Sequence, residues 1–254
     1  MAGRSYKTEA VVLRSFRLGE ADRVLHLYTL ERGRVGAVAK GIRRTKSRFG
    51  ARLEPLSHVA AILHQGSGEL QTVTGVDLVS SHHQAREDPY RLGIGLVGLE
   101  AMLRLFTEEE GNRRAFDALT RFLEVLDEWP APRPPARTGR TARPALDPLA
   151  LAFQLKLLWL SGYLPHLSSC AECGSAGPFV GYSARAGGAV CRDCASESLD
   201  LSPAGLAAVD GLLRRPLDEA AGAVSSERAA REALGVVTAS YEYHGGFRLR
   251  TLTA

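Results

Sequence analysis

The chain has 254 residues, of which 45% are hydrophobic and 24% charged. That composition excludes a disordered, collagen-like or disulfide-dense protein and is long enough for one large core or two modest ones. The 32 Lys+Arg and 28 Asp+Glu net to only +4, yet residues 1–54 hold 13 basic and 5 acidic side chains, a net of +8, and the remaining 200 a net of −4. Of the 32 cations 28 are arginines, permanently charged and able to fork onto phosphate oxygens.

The opening Met1-Ala-Gly-Arg-Ser-Tyr-Lys7 has no apolar segment of a secretory signal. The longest apolar stretch, Leu149–Leu164, is cut by Gln154 and Lys156 and falls short of the ~18 residues that span a bilayer. The expected setting is soluble and cytoplasmic, without membrane contact. The first 80 residues read as β: Thr8–Arg14, Arg23–Leu30, Arg34–Lys40, His58–His64 and Glu69–Val79 are short Val/Leu/Ile-rich runs between glycines. Glu31-Arg32-Gly33 and Gln65-Gly66-Ser67-Gly68 are turn sequences. Five such strands predict a small barrel. The OB-fold is the commonest choice, although an SH3-like barrel has the same periodicity.

After Asp88-Pro89 the period becomes helical. Tyr90–Phe106 and Asn112–Trp129 each carry an apolar stripe. Gly93-Ile-Gly95-Leu-Val-Gly98 has the letters of a dinucleotide loop but lies inside a helical pattern, which points to close helix packing. Glu108–Glu110 reads as a solvated loop. Pro130–Pro148 holds 6 of the 12 prolines and reads as an exposed, polyproline-prone loop. Leu149–Tyr163 is a helix apolar on nearly every side, expected at the centre of a bundle. Further helices are expected at Pro203–Arg214, with Ser202 as N-cap, and at Ser226–Tyr243. The fold class is thus α+β: residues 1–80 form an OB-type barrel, and 81–254 a helical domain interrupted at 166–198 by a cysteine module.

That module is the most specific signal in the chain. Cys170-Ala-Glu-Cys173 and Cys191-Arg-Asp-Cys194 are two C-x-x-C knuckles 17 residues apart. Two knuckles supply the four sulfurs of a tetrahedral structural zinc (Zn2+) site. Gly174 suits the turn after the first pair, and Gly187-Gly188 a hairpin that returns the chain to the metal. Free thiols and an iron–sulfur cluster are the alternatives, but the spacing is not that of a ferredoxin. A closed four-sulfur shell has no open position for catalysis. His166 and the pair His82-His83 are not expected to be ligands.

The second signal is basic. Lys40, Arg43, Arg44, Lys46 and Arg48 fall within nine residues that contain no acid, preceded by Arg34 and followed by Arg52. Such a cluster, entering a Gly/Ser loop, is placed to clamp phosphates, and the competing reading is a solvated loop. Nearby aromatics are few (Tyr6, Phe16, Tyr28 and Phe49), which favours phosphate contacts over base readout. No P-loop, G-x-S-x-G or paired-carboxylate constellation supports catalysis.

Several strings go together: Glu9-Ala-Val-Val-Leu-Arg14, Gly19-Glu-Ala-Asp-Arg-Val24, Gly33-Arg-Val-Gly-Ala-Val-Ala-Lys-Gly-Ile-Arg-Arg44 and Ser47-Arg-Phe-Gly50, then Leu160-Ser-Gly-Tyr-Leu-Pro165 leading into the knuckles. In these the chain resembles the RecO family of bacterial recombination mediators over nearly its whole length, least in 130–148. The resemblance implies an OB domain, a helical domain and an inserted zinc module. It implies non-catalytic DNA repair and recombination: binding single- and double-stranded DNA, annealing complementary strands, and working with RecR to load RecA onto strands coated by single-strand-binding protein, in association with the nucleoid. The basic positions match at Lys40, Arg43 and Arg44. In some relatives the tail of single-strand-binding protein contacts the helical domain, where Leu149–Tyr163 is the apolar helix to examine. The rival from another class is a protein-binding adaptor in which the basic segment only steers an acidic partner.

Overall fold

The protein is described by a computed structural model covering residues 4–45, 47, 49–130 and 143–252. It divides into two compact units, Met1–Glu87 with Phe106–Asp127 and Asp88–Leu105 with Glu128–Ala254.

In the first unit five strands, β1 (Arg4–Leu18), β2 (Asp22–Thr29), β3 (Gly33–Ala39), β4 (His58–Gln65) and β5 (Gln71–Ser80), close in the order β1-β2-β3-β5-β4. The β3–β5 pairing is parallel and the others are antiparallel, which is the connectivity of an OB-type barrel and settles the choice left by periodicity. β1 reaches beyond the expected Thr8–Arg14 at both ends because it serves two neighbours. Arg4–Val11 pairs with β4, and Ala10–Leu18 pairs with β2 across a bulge between Val12 and Arg14. Most of its added residues, Arg4, Ser5, Lys7, Arg17 and Leu18 among them, are exposed, so the ends carry no clean apolar alternation. Alternate side chains fill the interior: Leu25 and Leu27, Val35 and Ala37, Val59, Ala61 and Leu63.

Two further helices, α1 (His83–Glu87) and α3 (Arg113–Glu128), complete this unit. The boundary expected at residue 80 separates strands from helices along the chain, whereas α3 groups in space with the barrel. Its Phe116 ring meets His58 at 5.7 Å, and the Asp127 carboxylate accepts from the Ala85 N–H at 2.8 Å. The Glu108–Glu110 loop exposes all three of its side chains, as expected of a solvated loop. Its backbone lies against the β2–β3 turn, where Arg34 N–H donates to the Glu108 carbonyl at 3.2 Å. Gly33 has φ +58°, and a Cβ there would strike the carbonyl oxygens of Glu108 and Glu110, so glycine is required twice over.

The second unit is built around α4 (Pro148–Leu160), with α2 (Pro89–Leu105), α5 (Pro203–Arg214) and α6 (Glu227–Ser240) beside it. Pro148 belongs to α4 as its first residue rather than to the preceding loop, since proline there loses no helical hydrogen bond. Asp147 caps that helix through the Leu149 N–H at 2.8 Å and also accepts from Tyr90 and Trp129. Gly93 lets the Pro144 ring sit against α2, the close packing expected of these glycines. The expected loop of 130–148 lies largely outside the described residues; Pro144–Leu146 forms a short 3-10 turn. α6 ends sooner than expected, passing into a π-helical turn over Tyr241–Gly245 that Gly246 closes in the left-handed conformation.

Gln154, which interrupts the apolar run of α4, is fully buried. Its amide donates to the Val97 carbonyl of α2 at 3.3 Å and accepts from the Tyr241 hydroxyl at 2.5 Å. One polar side chain therefore ties three helical segments together. The cysteine module adds a small sheet ordered β7-β6-β8, from β6 (Phe179–Ser183), β7 (Gly188–Cys191) and β8 (Leu199–Asp200). Tyr182 joins it to α6 through a 2.8 Å hydrogen bond to Ser240.

Two predictions follow from these buried polar groups. Gln154→Leu is expected to cost about 1 to 2 kcal/mol, because the buried Tyr241 hydroxyl loses its 2.5 Å partner and keeps only the longer 3.3 Å bond to the carbonyl of residue 154. Adding Tyr241→Phe should recover part of that loss, and chemical denaturation of the single and double variants measures both. The second concerns His82, buried and donating from Nδ1 to the Leu56 carbonyl at 2.8 Å. Burial holds its pKa below the ordinary 6.5. The unfolded chain then takes up the proton more readily, so stability present at neutral pH declines as pH falls below about 6.5. Urea unfolding between pH 7.5 and 5 should show that decline, and His82→Asn should lessen it.

Candidate nucleic-acid interface and metal centre

The basic loop leaves β3 at Lys40 and is shaped by what it buries. Ile42, Phe49 and Leu53 insert into the barrel core, so Arg43, Arg44 and Arg52 among the residues between them turn outward. Lys40, Arg43 and Arg44 are all exposed. Two sets of bonds hold the loop at one end of the barrel. Gly41 N–H donates to Asp22 at 2.7 Å, Arg43 N–H to the Ala21 carbonyl at 2.9 Å, and the Arg43 guanidinium to the Glu20 carbonyl at 2.8 Å. Farther along, Arg23 Nη1 reaches both carboxylate oxygens of Glu54, at 2.9 and 3.0 Å. The loop is thus fastened beside the β1–β2 turn, one border of the surface on which OB-type barrels bind oligonucleotides.

These bonds divide the cations by role. Arg23 is matched by Glu54 and fixes the loop. Arg43 spends part of its donor capacity on turn carbonyls. Among the described residues Lys40 and Arg44 have no carboxylate partner, which leaves them the most available charges of the cluster. Arg34 is not gathered with them: it lies near the opposite end of β3, six residues from Lys40 or roughly 20 Å along a strand. Lys46 and Arg48 lie outside the described residues.

Next to the β1–β2 turn the outer face carries a group that the sequence did not single out. The Arg14 guanidinium lies 4.6 Å from the centre of the Phe16 ring, and His26 meets that ring edge-on at 5.2 Å. Burial, then the Arg34 and Arg14 cations, hold His26 below the ordinary histidine value, so its ring is neutral at pH 7. The alternation Arg14-Ser-Phe16 hints at a shared face, but the pairing with β2 depends on the bulge in β1.

In the second unit the four cysteines converge, with all four Sγ atoms within 4.8 Å of one another. Each knuckle is built by backbone geometry. Gly174, at φ +74°, lets its N–H return to the Cys170 carbonyl at 2.8 Å, and the β6–β7 hairpin brings back Cys191, whose N–H donates to Cys170 Sγ at 3.4 Å. Backbone N–H groups of Cys173 and then Cys191 lower the Cys170 thiol to about 6, while hydrogen bonding with Cys173 and Cys191 raises Cys194 to about 12. Four thiols packed so closely share charge unequally unless a cation balances them, and their softness suits a thiophilic metal ion. His166 stands apart, bonded to Ser169 Oγ at 2.7 Å and paired through its backbone with Gly187 and Ala189. His82 is committed to Leu56, and exposed His83 pairs with Glu87 at 3.2 Å, so neither is part of a metal cluster.

The second unit also contains a cavity of about 470 Å³, with Trp159, Leu164 and Leu213 among its apolar walls and Lys156 and Arg214 as its cations. The Lys156 ammonium donates to the Leu213 carbonyl at 2.9 Å, and burial lowers its pKa. Trp159 and Leu164 are each 54% exposed. Among the described residues, no helix is long and apolar enough to cross a membrane.

Comparison with known proteins agrees across both units. The family model described as Recombination protein O N terminal matches residues 1–82, and that described as Recombination protein O C terminal matches residues 86–253. The chain is 38% identical over 232 residues to the DNA repair protein RecO of Rubrobacter xylanophilus, covering 89% of this chain and 88% of that protein. It is 38% identical over 241 residues to the protein of the same name from Thermobifida fusca, with 94% and 93% covered. For that of Frankia casuarinae the figures are 40% over 252 residues, with 97% and 96% covered.

Proposed function

The chain belongs to the RecO family of DNA repair and recombination proteins, and from that footing we propose that it is a non-catalytic recombination mediator whose barrel, residues 1–80, binds DNA through phosphate. The observation that carries this reading is the outward presentation of Lys40, Arg43 and Arg44 by a loop anchored in the barrel core. Lys46 and Arg48 add charge to the same loop sequence, and Arg34, roughly 20 Å away along β3, is a separate phosphate contact. Phosphate-directed cations screen the repulsion between two strands while leaving base edges free to pair, which is what annealing requires of a protein that hydrolyses nothing. Both single- and double-stranded DNA satisfy such a surface.

The acidic remainder of the chain suits protein partners. RecR, RecA and single-strand-binding protein are the partners that family membership suggests. The cavity beside Trp159 favours the tail of single-strand-binding protein: its apolar walls and Lys156 fit a peptide that combines apolar side chains with a carboxylate, while Arg214 is already paired at 2.7 Å with Asp210, which also lines the cavity. The resident metal is zinc, held by Cys170, Cys173, Cys191 and Cys194 within the module 166–198. A tetrahedron with Zn–S of ~2.3 Å has sulfur–sulfur edges of ~3.8 Å. The 3.7 Å between Cys173 and Cys191 supports that fit. Zinc here would supply cross-linking of the two knuckles and no reaction step.

Two measurements test this reading. Lys40→Glu with Arg44→Glu should weaken binding to single-stranded DNA by on the order of ten-fold or more at low salt while leaving the melting temperature unchanged. Unchanged affinity would remove the loop from the DNA site, and salt-independent binding would favour the adaptor. Metal analysis should find one zinc per chain. Chelation, or Cys173→Ser, should lower thermal stability while DNA affinity measured below the melting transition stays within about two-fold. Lost DNA binding with unchanged melting would contradict a structural zinc.

A further inference from the structure

If the barrel binds DNA as proposed, the side chains on its outer face determine which form of DNA it prefers, and one of them has the chemistry to distinguish unpaired bases. The four aromatic residues named in the N-terminal segment occupy different settings. Tyr28 and Phe49 are each 1% exposed and belong to packed interiors. The Tyr6 ring is covered by the Arg32 guanidinium at 3.8 Å, and its hydroxyl donates to Gln71 at 2.9 Å. Phe16 shares a guanidinium cover with Tyr6, but Tyr6 packs against the barrel core and is tied by its hydroxyl, and Phe16 does neither. It is half-buried on the outer face of β1, three residues before the β1–β2 turn to which the basic loop is fastened.

The two neighbours of Phe16 complete a recognisable arrangement. His26, across the strand pair, supports the ring edge-on at 83°. Arg14 covers the ring with its guanidinium at 4.6 Å and is itself exposed. A guanidinium over a ring at the surface is held weakly and is readily replaced by a flat partner. A nucleobase is such a partner, and every base has a π-face, so the exchange requires no particular sequence.

We infer that Phe16 is a stacking platform for one unpaired base of a single strand, with Arg14 leaving the ring face and turning its charge to the adjoining phosphate. Bases in a duplex are already stacked and have no free face to offer. The basic loop then accepts either form of DNA, and Phe16 adds a preference for the single strand. The preference is modest, which suits annealing: a base held by one ring is released when its complement pairs with it. This inference rests on the reading of the barrel as a DNA-binding surface.

The test compares an oligo-dT strand with a duplex of equal length, using fluorescence anisotropy on the full-length protein. Phe16→Leu keeps the apolar bulk and removes the π-face. It should weaken oligo-dT binding roughly ten-fold, the scale of one stacked base, and leave duplex binding within two-fold. Phe16→Trp should gain emission that oligo-dT quenches and an abasic sugar–phosphate oligomer does not. Equal loss on both substrates, no loss on either, or equal quenching by the abasic oligomer overturns the stacking role while the phosphate-binding reading stands. Failure of the unaltered protein to bind either DNA at low salt overturns that reading instead.

Discussion

Burial of Ile42, Phe49 and Leu53 in the end of the barrel is the interaction on which the functional surface depends. A closed barrel has no free strand edge to present, so its loops and outer face carry the function. A loop rich in like charges repels itself and gains nothing from ordering. Here the apolar side chains at 42, 49 and 53 offset that cost and set the direction of Arg43, Arg44 and Arg52. The bonds from Gly41 and Arg43 to the β1–β2 turn, and from Arg23 to Glu54, then hold the loop at both ends. Removing the apolar anchors would leave the charge in place and lose its position.

The second unit uses polar groups in the opposite sense. Gln154, Asp147 and Ser240 are buried, each with hydrogen-bond partners drawn from more than one segment, so they specify how the helices meet. The cysteine module depends on the same logic. Its sheet is too small to stand by its own core, and its four sulfurs lie close enough together to hold a metal ion. A basic barrel and a helical body with a four-cysteine cluster able to hold a metal thus make up the two parts of the chain.

Much of this was legible in the sequence, for identifiable reasons. Strands and helices show their periods, and the cysteine spacing records its geometry locally, because both knuckles are made by residues next to one another. The cysteine site and the exposure of Lys40, Arg43 and Arg44 were readable for that reason. What was not readable depends on long-range pairing. The extent of β1 came from its two partners. The placement of α3 with the barrel came from contacts such as Phe116 with His58. Gln154 read as an interruption of an apolar helix because its partners Val97 and Tyr241 are 57 and 87 residues away. Arg34 looked like part of the basic cluster because it is near in sequence, yet a strand lies between them. Phe16 and His26 meet only through the register of a bulged strand pair.

The central claim is that the charge on the β3–β4 loop meets phosphate. The most direct test is the slope of log affinity against log salt for a single strand, measured for the unaltered protein and for Lys40→Ala with Arg44→Ala. If both side chains neutralise phosphates, the slope should become shallower by about 1.4, at about 0.7 per contact. An unchanged slope would show that the loop's charge is spent on water, and the account of how this fold meets DNA would fail.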